Sequence, residues 1–257
     1  MTLSSPTKAQ NTPAEFVSQT GRTLLNLREM LLRGDFQPGE RISELPLVAR
    51  LGVSRTPIRL ALDRLSHEGL LEVSPSGGFV VREFTVADIW DAIEMRGTLE
   101  GAAARLAAER LSDPAELEAL NFYRTEMEKF GGPVANIDTY ARYLDLNEAF
   151  HAEIVSLAKS PMLRRTLDHV LTLPFAQPSA MIFAHAKMPK LDSMFPIGQE
   201  QHRVLAESIE RRQATRAEAT AREHTTVTRR VLEMVLEDKE MFGIVPGASL
   251  VRLPSVV

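Results

Sequence analysis

Leu51-Gly52-Val53-Ser54-Arg55-Thr56-Pro57-Ile58-Arg59 is the stretch that decides how the N-terminal part of this chain folds. Gly52 permits a sharp turn between two helices, and Val53 is placed to plug the core between them. Ser54 and Thr56 stand at a helix N-terminus, where hydroxyls, free backbone N–H groups and the helix dipole all suit a phosphate. Arg55 and Arg59 are four residues apart, so both guanidinium groups project from one face of a helix narrow enough for the major groove. A capped surface helix with two solvated arginines accounts for any one of these residues alone. The combination points to DNA.

The flanking sequence extends the pattern. An amphipathic helix is expected from about Ala14, with Phe16, Leu24, Leu27, Met30 and Leu31 at helical spacing and Gly34 to end it. Gln37-Pro38-Gly39-Glu40 reads as a turn, and a short helix follows with Ser43 as cap and Pro46 in its first turn. After Gly52, Ser54 caps a helix whose apolar face is Ile58, Ala61, Leu62 and Leu65, closed by Gly69. Two extended segments, Leu70–Ser74 and Phe79–Arg82, are joined by Pro75-Ser76-Gly77-Gly78, whose glycines supply the positive φ of a tight hairpin. Helix, helix, turn, helix, hairpin is the layout of a winged helix-turn-helix, assigned here to residues 14–84. Residues 1–13, rich in Ser, Thr, Pro and Gln, are expected to form a disordered tail.

Beyond Glu83 the chain reads as almost continuous helix. Thr85 starts an alanine-rich stretch to about Arg110, and Ser112 or Asp113 with Pro114 opens another to about Phe130. Gly131-Gly132-Pro133 breaks the pattern. Helices are expected over about 136–157, from Ser160-Pro161 to near Leu173, over 197–212 and over 215–238, with short pieces between Pro174 and Pro196. No Val/Ile-rich alternation suggests a sheet. The fold class is therefore mainly α: a winged helix-turn-helix followed by an antiparallel bundle of six or seven helices, residues 85–240. The apolar tail 241–257, broken by Pro246, Gly247 and Pro254, is open to two readings, lying across a partner or fraying.

Composition narrows the function classes. The 257 residues, 44% of them hydrophobic, suffice for one large or two modest domains. The lack of cysteine excludes a disulfide scaffold, a thiolate metal site and a cysteine nucleophile. No apolar run reaches the roughly 20 residues that cross a bilayer, and the N-terminus lacks a signal-peptide core. A cytoplasmic location is expected. Residues 1–82 carry ten Lys/Arg against eight Asp/Glu, whereas the remainder carries twenty against twenty-six. This asymmetry permits a DNA-binding front without establishing one.

Glu44…Leu47…Leu51-Gly-Val-Ser-Arg-Thr-Pro-Ile-Arg59…Ala61-Leu62…Leu65…Glu68-Gly69-Leu70 resembles the DNA-binding domain of the GntR family of bacterial transcription regulators, over about residues 17–84. The resemblance implies that Arg55 and Arg59 read guanines, Ser54 and Thr56 hold phosphate, His67 contacts phosphate at the helix end, and Gly77 in the wing approaches the minor groove. It also implies a homodimer on two half-sites of a palindromic operator. Two positions depart from the family pattern. Leu45 stands where the family often has Arg, and Leu60 where it often has Glu.

Six histidines occur: His67, His151, His169, His185, His202 and His224. Asn147 and His151 are four residues apart on a helix, and His202 and His224 lie on the last two long helices. Three imidazoles and one oxygen from three helices can enclose a divalent ion and leave coordination positions open. Hydrogen-bonded core or surface histidines are the plainer reading of the same spacing.

Glu94-Met-Arg96…Leu99-Glu100…Ala103-Ala104…Leu106-Ala107, then Asn147…Phe150-His151, His202 and His224, resemble the FCD effector-binding domain of the FadR/VanR branch, over about residues 85–236. In that family an Asp-x-x-x-His pair and two later histidines bind a metal, often zinc. The resemblance thus implies a metal site at Asn147, His151, His202 and His224. Here the acidic position is Asn147. A neutral amide ligates more weakly and leaves the ion's charge uncompensated, which favours an anionic effector. Asp145, two residues away, faces elsewhere on the helix and is no substitute. Arg96 is expected to help neutralise an effector carboxylate, or else to pair with Glu100. Trp90, Tyr140, Tyr143 and Phe150 are assigned to packing or the pocket wall, His169 and His185 to structure or surface, and Met181–Met194 to a pocket cover or plain connection.

These readings converge on a ligand-responsive regulator, not an enzyme, with a divalent metal, a small carboxylate metabolite and double-stranded operator DNA as partners and no membrane. Two alternatives use the same histidines. A metal-dependent hydrolase shares the three-imidazole set, although the sequence has no His-Glu-x-x-His motif and no Gly-x-Ser-x-Gly elbow. A purely structural metal, with the effector bound elsewhere, is the other.

Overall fold

The computed structural model describes residues 18–131, 137–177 and 188–253. Helix α1 (Gln19–Arg33) starts later than the periodicity from Ala14 predicts, because the Ser18 side chain accepts from the Gly21 amide and caps it there. Ala14 and Phe16 lie outside the described residues, as does the 1–13 tail. Gly34, at φ +85°, ends α1 by returning its amide to the carbonyls of the last turn. Helix α2 (Glu44–Leu51) ends at left-handed Gly52, and α3 (Arg55–His67) follows after two residues. Pro57, Ile58, Ala61, Leu62 and Leu65 form the buried stripe of α3, and Val53 packs against the same core.

The wing contains one strand more than expected. Besides β2 (Leu71–Val73) and β3 (Phe79–Val81), the residues after the Gln37–Glu40 turn form β1 (Arg41–Ile42), giving antiparallel order β1-β3-β2. Arg41 pairs with Val80 and Ile42 with Phe79, while Leu71, Glu72 and Val73 face Val81, Val80 and Phe79. Two residues show no alternation, so β1 is visible only once its partner is in place.

Thr85 and Asp88 form a capping box that starts α4 (Val86–Arg110). A 3-10 turn (Pro114–Leu117), capped by Asp113, leads into α5 (Glu118–Glu128). Then come α6 (Ile137–Leu157), α7 (Pro161–Leu171, capped by Ser160), a 3-10 segment (Pro189–Met194), α8 (Phe195–Glu210), α9 (Ala214–Leu236) and the short α10 (Lys239–Gly243). The start expected for α6 at residue 136, His185 and residues 181–187 of the methionine-rich loop lie outside the described residues. The expected mainly helical fold is present: among the described residues, six long helices and one short one follow a winged helix-turn-helix.

Helix α4 packs chiefly on α9, and glycines set how closely they approach. A Cβ on Gly97 would sit 2.5 Å from Thr225 Oγ1, and one on Gly101 2.7 Å from Arg222 Cγ. One apolar core fills the distal bundle with Ala103, Ala104, Ala107, Leu120, Phe150, Ile154, Leu205 and Ile209. A second is shared between the reading head and the bundle. It runs from Leu27, Ile58 and Leu62 through Ile89 and Ile93 to Val231, Leu232 and Val235.

The tail enters this shared core. Phe242, Val245 and Leu250 are buried in it, and β5 (Val251–Arg252) pairs in parallel with β4 (Phe84–Thr85). Of the two readings open from sequence, neither describes residues 241–253: they dock on their own reading head. Residues 254–257 lie outside the described residues.

Candidate nucleic-acid interface and metal centre

With one stripe of α3 spent on the core, Ser54, Arg55, Thr56, Arg59, Leu60 and Asp63 remain on the exposed side. Among the described residues Arg55 and Arg59 form no ion pair, so both cations are available to an anionic partner. Ser54 occupies the N-cap position, yet its hydroxyl makes no capping bond. The first-turn amides of α3 and two hydroxyls therefore face solvent beside two free guanidinium groups, the arrangement a DNA phosphate and base edge require. His67 is exposed at the last turn of α3, its Nδ1 2.8 Å from the Asp63 carbonyl oxygen. Gly77, at φ +81° with open space where a Cβ would stand, forms the wing tip. Arg41 braces that tip by donating to the Gly77 carbonyl at 2.6 Å, a role sequence reading missed because β1 was not foreseen.

In the bundle, α6, α8 and α9 bring His151, His202 and His224 together. One nitrogen from each lies within 4.8 Å of the others, and the ring centroids are 4.5 to 5.4 Å apart. Burial holds all three neutral: His202 falls to about 3, and His151 and His224 lie well below the usual imidazole range, each helped by neighbouring imidazoles and by Arg96. Neutral imidazole is the form that offers a lone pair to a metal.

Hydrogen bonding suggests which nitrogens are free. With the Gln201 amide oxygen as acceptor at 3.0 Å, His224 Nδ1 carries the proton and turns the Nε2 lone pair inward. His202 Nε2 lies 3.1 Å from that atom. His151 Nε2 and His202 Nδ1 are sealed from solvent and have no hydrogen-bond partner. Buried polar atoms without partners are uncommon. Two nitrogens bound tetrahedrally to one zinc at its usual bond length are about 3.4 Å apart, so shifts of a few tenths of an ångström between His202 and His224 and a somewhat larger approach of the third ring suffice. The residues fit a divalent cation.

Asn147, also buried, lines both cavities that flank the imidazoles. One, about 70 Å³, is walled by Tyr140, Tyr143, Leu144, Phe195 and Val231 beside His202 and His224. The other, about 220 Å³, lies over His151 with Glu100, Glu148, Arg164 and Asp168 on its walls. Asp145 is exposed, as its helical position predicts. Phe150 packs edge-on against His151 and His202, Trp90 carries the Arg229 guanidinium on its face, and His169 is exposed on α7.

Arg96 is 1% exposed and bound on both sides: Nε donates to Glu100 at 3.0 Å and Nη1 to the Ala176 carbonyl at 2.8 Å. The ion pair between Arg96 and Glu100 that their spacing allows is formed. Gln201, which orients His224, is a residue beside the imidazoles that spacing did not single out, and the Oε2 of Glu100 is buried without a partner. Nothing in a sequence marks which glutamine faces which imidazole.

A winged helix-turn-helix with unpaired arginines on its reading helix, built onto a helical bundle with an imidazole-lined interior, is the architecture of a transcription regulator. The chain belongs to the gntR family of bacterial regulatory proteins, matched over residues 20–81, in the group whose second part is an FCD domain, matched over 91–227. It is 39% identical over 135 residues to the Nta operon transcriptional regulator of Aminobacter aminovorans, covering 52% of this chain and 61% of that protein. It is 33% identical over 144 residues to the HTH-type transcriptional regulator YdhC of Bacillus subtilis, covering 56% and 62%. These matches thus span about three fifths of those relatives. Among solved structures, E. coli McbR/YncC shares the fold with a TM-score of 0.59 at 22% identity, over 85% of this chain and 99% of that one. The family consists of regulators, so the hydrolase alternative falls away. Among the described residues no helix is long and apolar enough to cross a membrane.

Proposed function

We propose that this protein is a cytoplasmic, homodimeric regulator. Residues 14–84 read a palindromic operator, and residues 85–240 bind a divalent metal, zinc in the first instance, that helps hold a small carboxylate effector. The observation that carries the sensing half is the convergence of three neutral imidazoles, two of them with partnerless buried nitrogens, between two cavities. His151, His202 and His224 would hold the ion with Asn147 as a weak fourth ligand, and the bound ion would supply a Lewis-acidic anchor for a carboxylate. Because none of these four residues carries a negative charge, the anion is attracted by the full charge of the ion and by buried Arg96 nearby. Arg96 keeps the effector-neutralising role on this reading, since Nε and Nη1 serve Glu100 and Ala176 and neither takes the Nη2 amino group.

Switching requires that the effector favour one arrangement of the two reading heads over another. The apolar core shared by α3, α4 and α9 is a continuous connection along which such a preference can act. Elemental analysis and native mass spectrometry of gently purified protein test the proposal. One divalent ion per chain with a small acid is expected, and both should be lost in a His151→Ala, His224→Ala double variant. Metal-free protein that binds its operator and responds to acids unchanged by added zinc would refute it.

A further inference from the structure

Leu60 is the one large apolar side chain left exposed on the reading face of α3, with 51% of its surface open. It shares a surface hollow with Glu44, Arg55, Thr56, Arg59 and Asp63. At about 100° per residue, Arg55 and Arg59 form one stripe and Thr56 and Leu60 the next, with Arg55 bordering the buried stripe and the other three turned away from it. The neighbours identify what the face meets: two guanidinium groups without ion pairs and a helix N-terminus are complementary to a polyanion rather than to an apolar protein surface. An apolar side chain gains nothing from phosphate, and packing against a deoxyribose would be the same at every base. Among the donors and acceptors of the major-groove base edges, the 5-methyl group of thymine is the apolar group that projects into the groove.

We infer that Leu60 reads a thymine methyl beside the base pairs contacted by Arg55 and Arg59, making it a specificity-determining residue of the operator contact. The inference rests on the DNA-reading half of the proposed function and not on the metal or effector. Replacing Leu60 by a smaller or charged side chain would change which operators are accepted while leaving the arginine contacts in place.

The test uses the full chain and a duplex enriched from a randomised pool by binding to it. Each dT is replaced singly by dU, which removes only the methyl group, and affinity is read by fluorescence anisotropy at one salt concentration. At the thymine that Leu60 contacts, loss of the methyl is expected to weaken wild-type binding about fourfold, the value of one buried methyl-sized group. Leu60→Ala should bind the dT and dU duplexes within twofold of each other, with an unchanged melting temperature because the side chain is exposed. Indifference of the wild type to every dU, or a Leu60→Ala protein that keeps the wild-type preference for dT, would overturn the assignment. Failure to bind any enriched duplex in a salt-dependent way would instead refute the DNA-reading function itself, and this assignment with it.

Discussion

The amide of Gly247 donates to the carbonyl of Leu32 at 2.7 Å, tying the C-terminal tail to the first helix of the reading head. Leu32 lies in the last turn of α1, where a carbonyl has no partner inside its own helix. Gly247 can serve it because its φ of +89° turns the chain there, and Leu32, Pro174 and Phe175 all lie within 3.7 Å of where a Cβ would stand. Leu250 is then completely buried, and Val251 pairs with Phe84 at the junction of head and bundle. The tail is thus a strap across the joint between the reading head and the bundle.

Removing the strap's anchor should be costly. Leu250→Ala is expected to lower unfolding stability by about 2–5 kcal/mol, the usual cost of truncating a fully buried leucine. Gly247→Ala should destabilise as well, because an L residue is strained at that φ. Urea midpoints for both variants check this, and midpoints equal to wild type would mean that the strap contributes nothing in solution.

Operator recognition depends on Arg55. Arg55→Ala should weaken binding to an enriched duplex by about 1–3 kcal/mol or more while leaving the helical circular dichroism unchanged. Equal affinities for wild type and variant would remove Arg55 from the reading set.

The amide at position 147 offers a gain-of-function test. Asn147→Asp places a carboxylate where a neutral oxygen now stands, so metal affinity should rise at least tenfold in a chelator competition. Affinity for an anionic probe such as acetate should fall, because the ion's charge is then partly compensated. A variant whose metal affinity does not change would separate Asn147 from the ion.

Acidification should act on the histidine cluster first. The folded protein keeps His151, His202 and His224 neutral below pH 6.5, whereas the unfolded chain takes up protons there. The unfolded state therefore binds more protons, and stability falls as pH drops from about 6.5 toward 3. Metal-free protein should show level urea midpoints from pH 8 to 7 and a decline between 6.5 and 5. The decline should shrink when His224 is replaced by Gln.

At the crossing of α4 and α9 there is no room for larger residues. Gly97→Val should destabilise strongly, since even its Cβ would meet Thr225 Oγ1 at 2.5 Å on the opposing helix. Gly97→Val combined with Thr225→Ala should recover part of the loss, and a purely local helix-propensity effect would show no such rescue.

Local chemistry along the chain was enough to locate the reading helix and where it begins, the hairpin glycines and the mainly helical character of the chain after Thr85. Those features depend on neighbours within a few residues: an N-cap hydroxyl, a left-handed glycine, an apolar stripe at helical spacing. Helical spacing put Asn147 and His151 on one face, and the resemblance to the FCD domain joined them to His202 and His224 on two other helices. Contacts between distant segments were another matter. The two-residue strands β1 and β5, the Gln201 bond that orients His224, the burial of Arg96 against Glu100 and Ala176, and the tail on α1 each join residues from separate elements. Strands that short have no periodicity, and an apolar tail is equally compatible with any apolar surface. Only the packed structure chose the partner, since burial is decided by what the rest of the chain leaves uncovered.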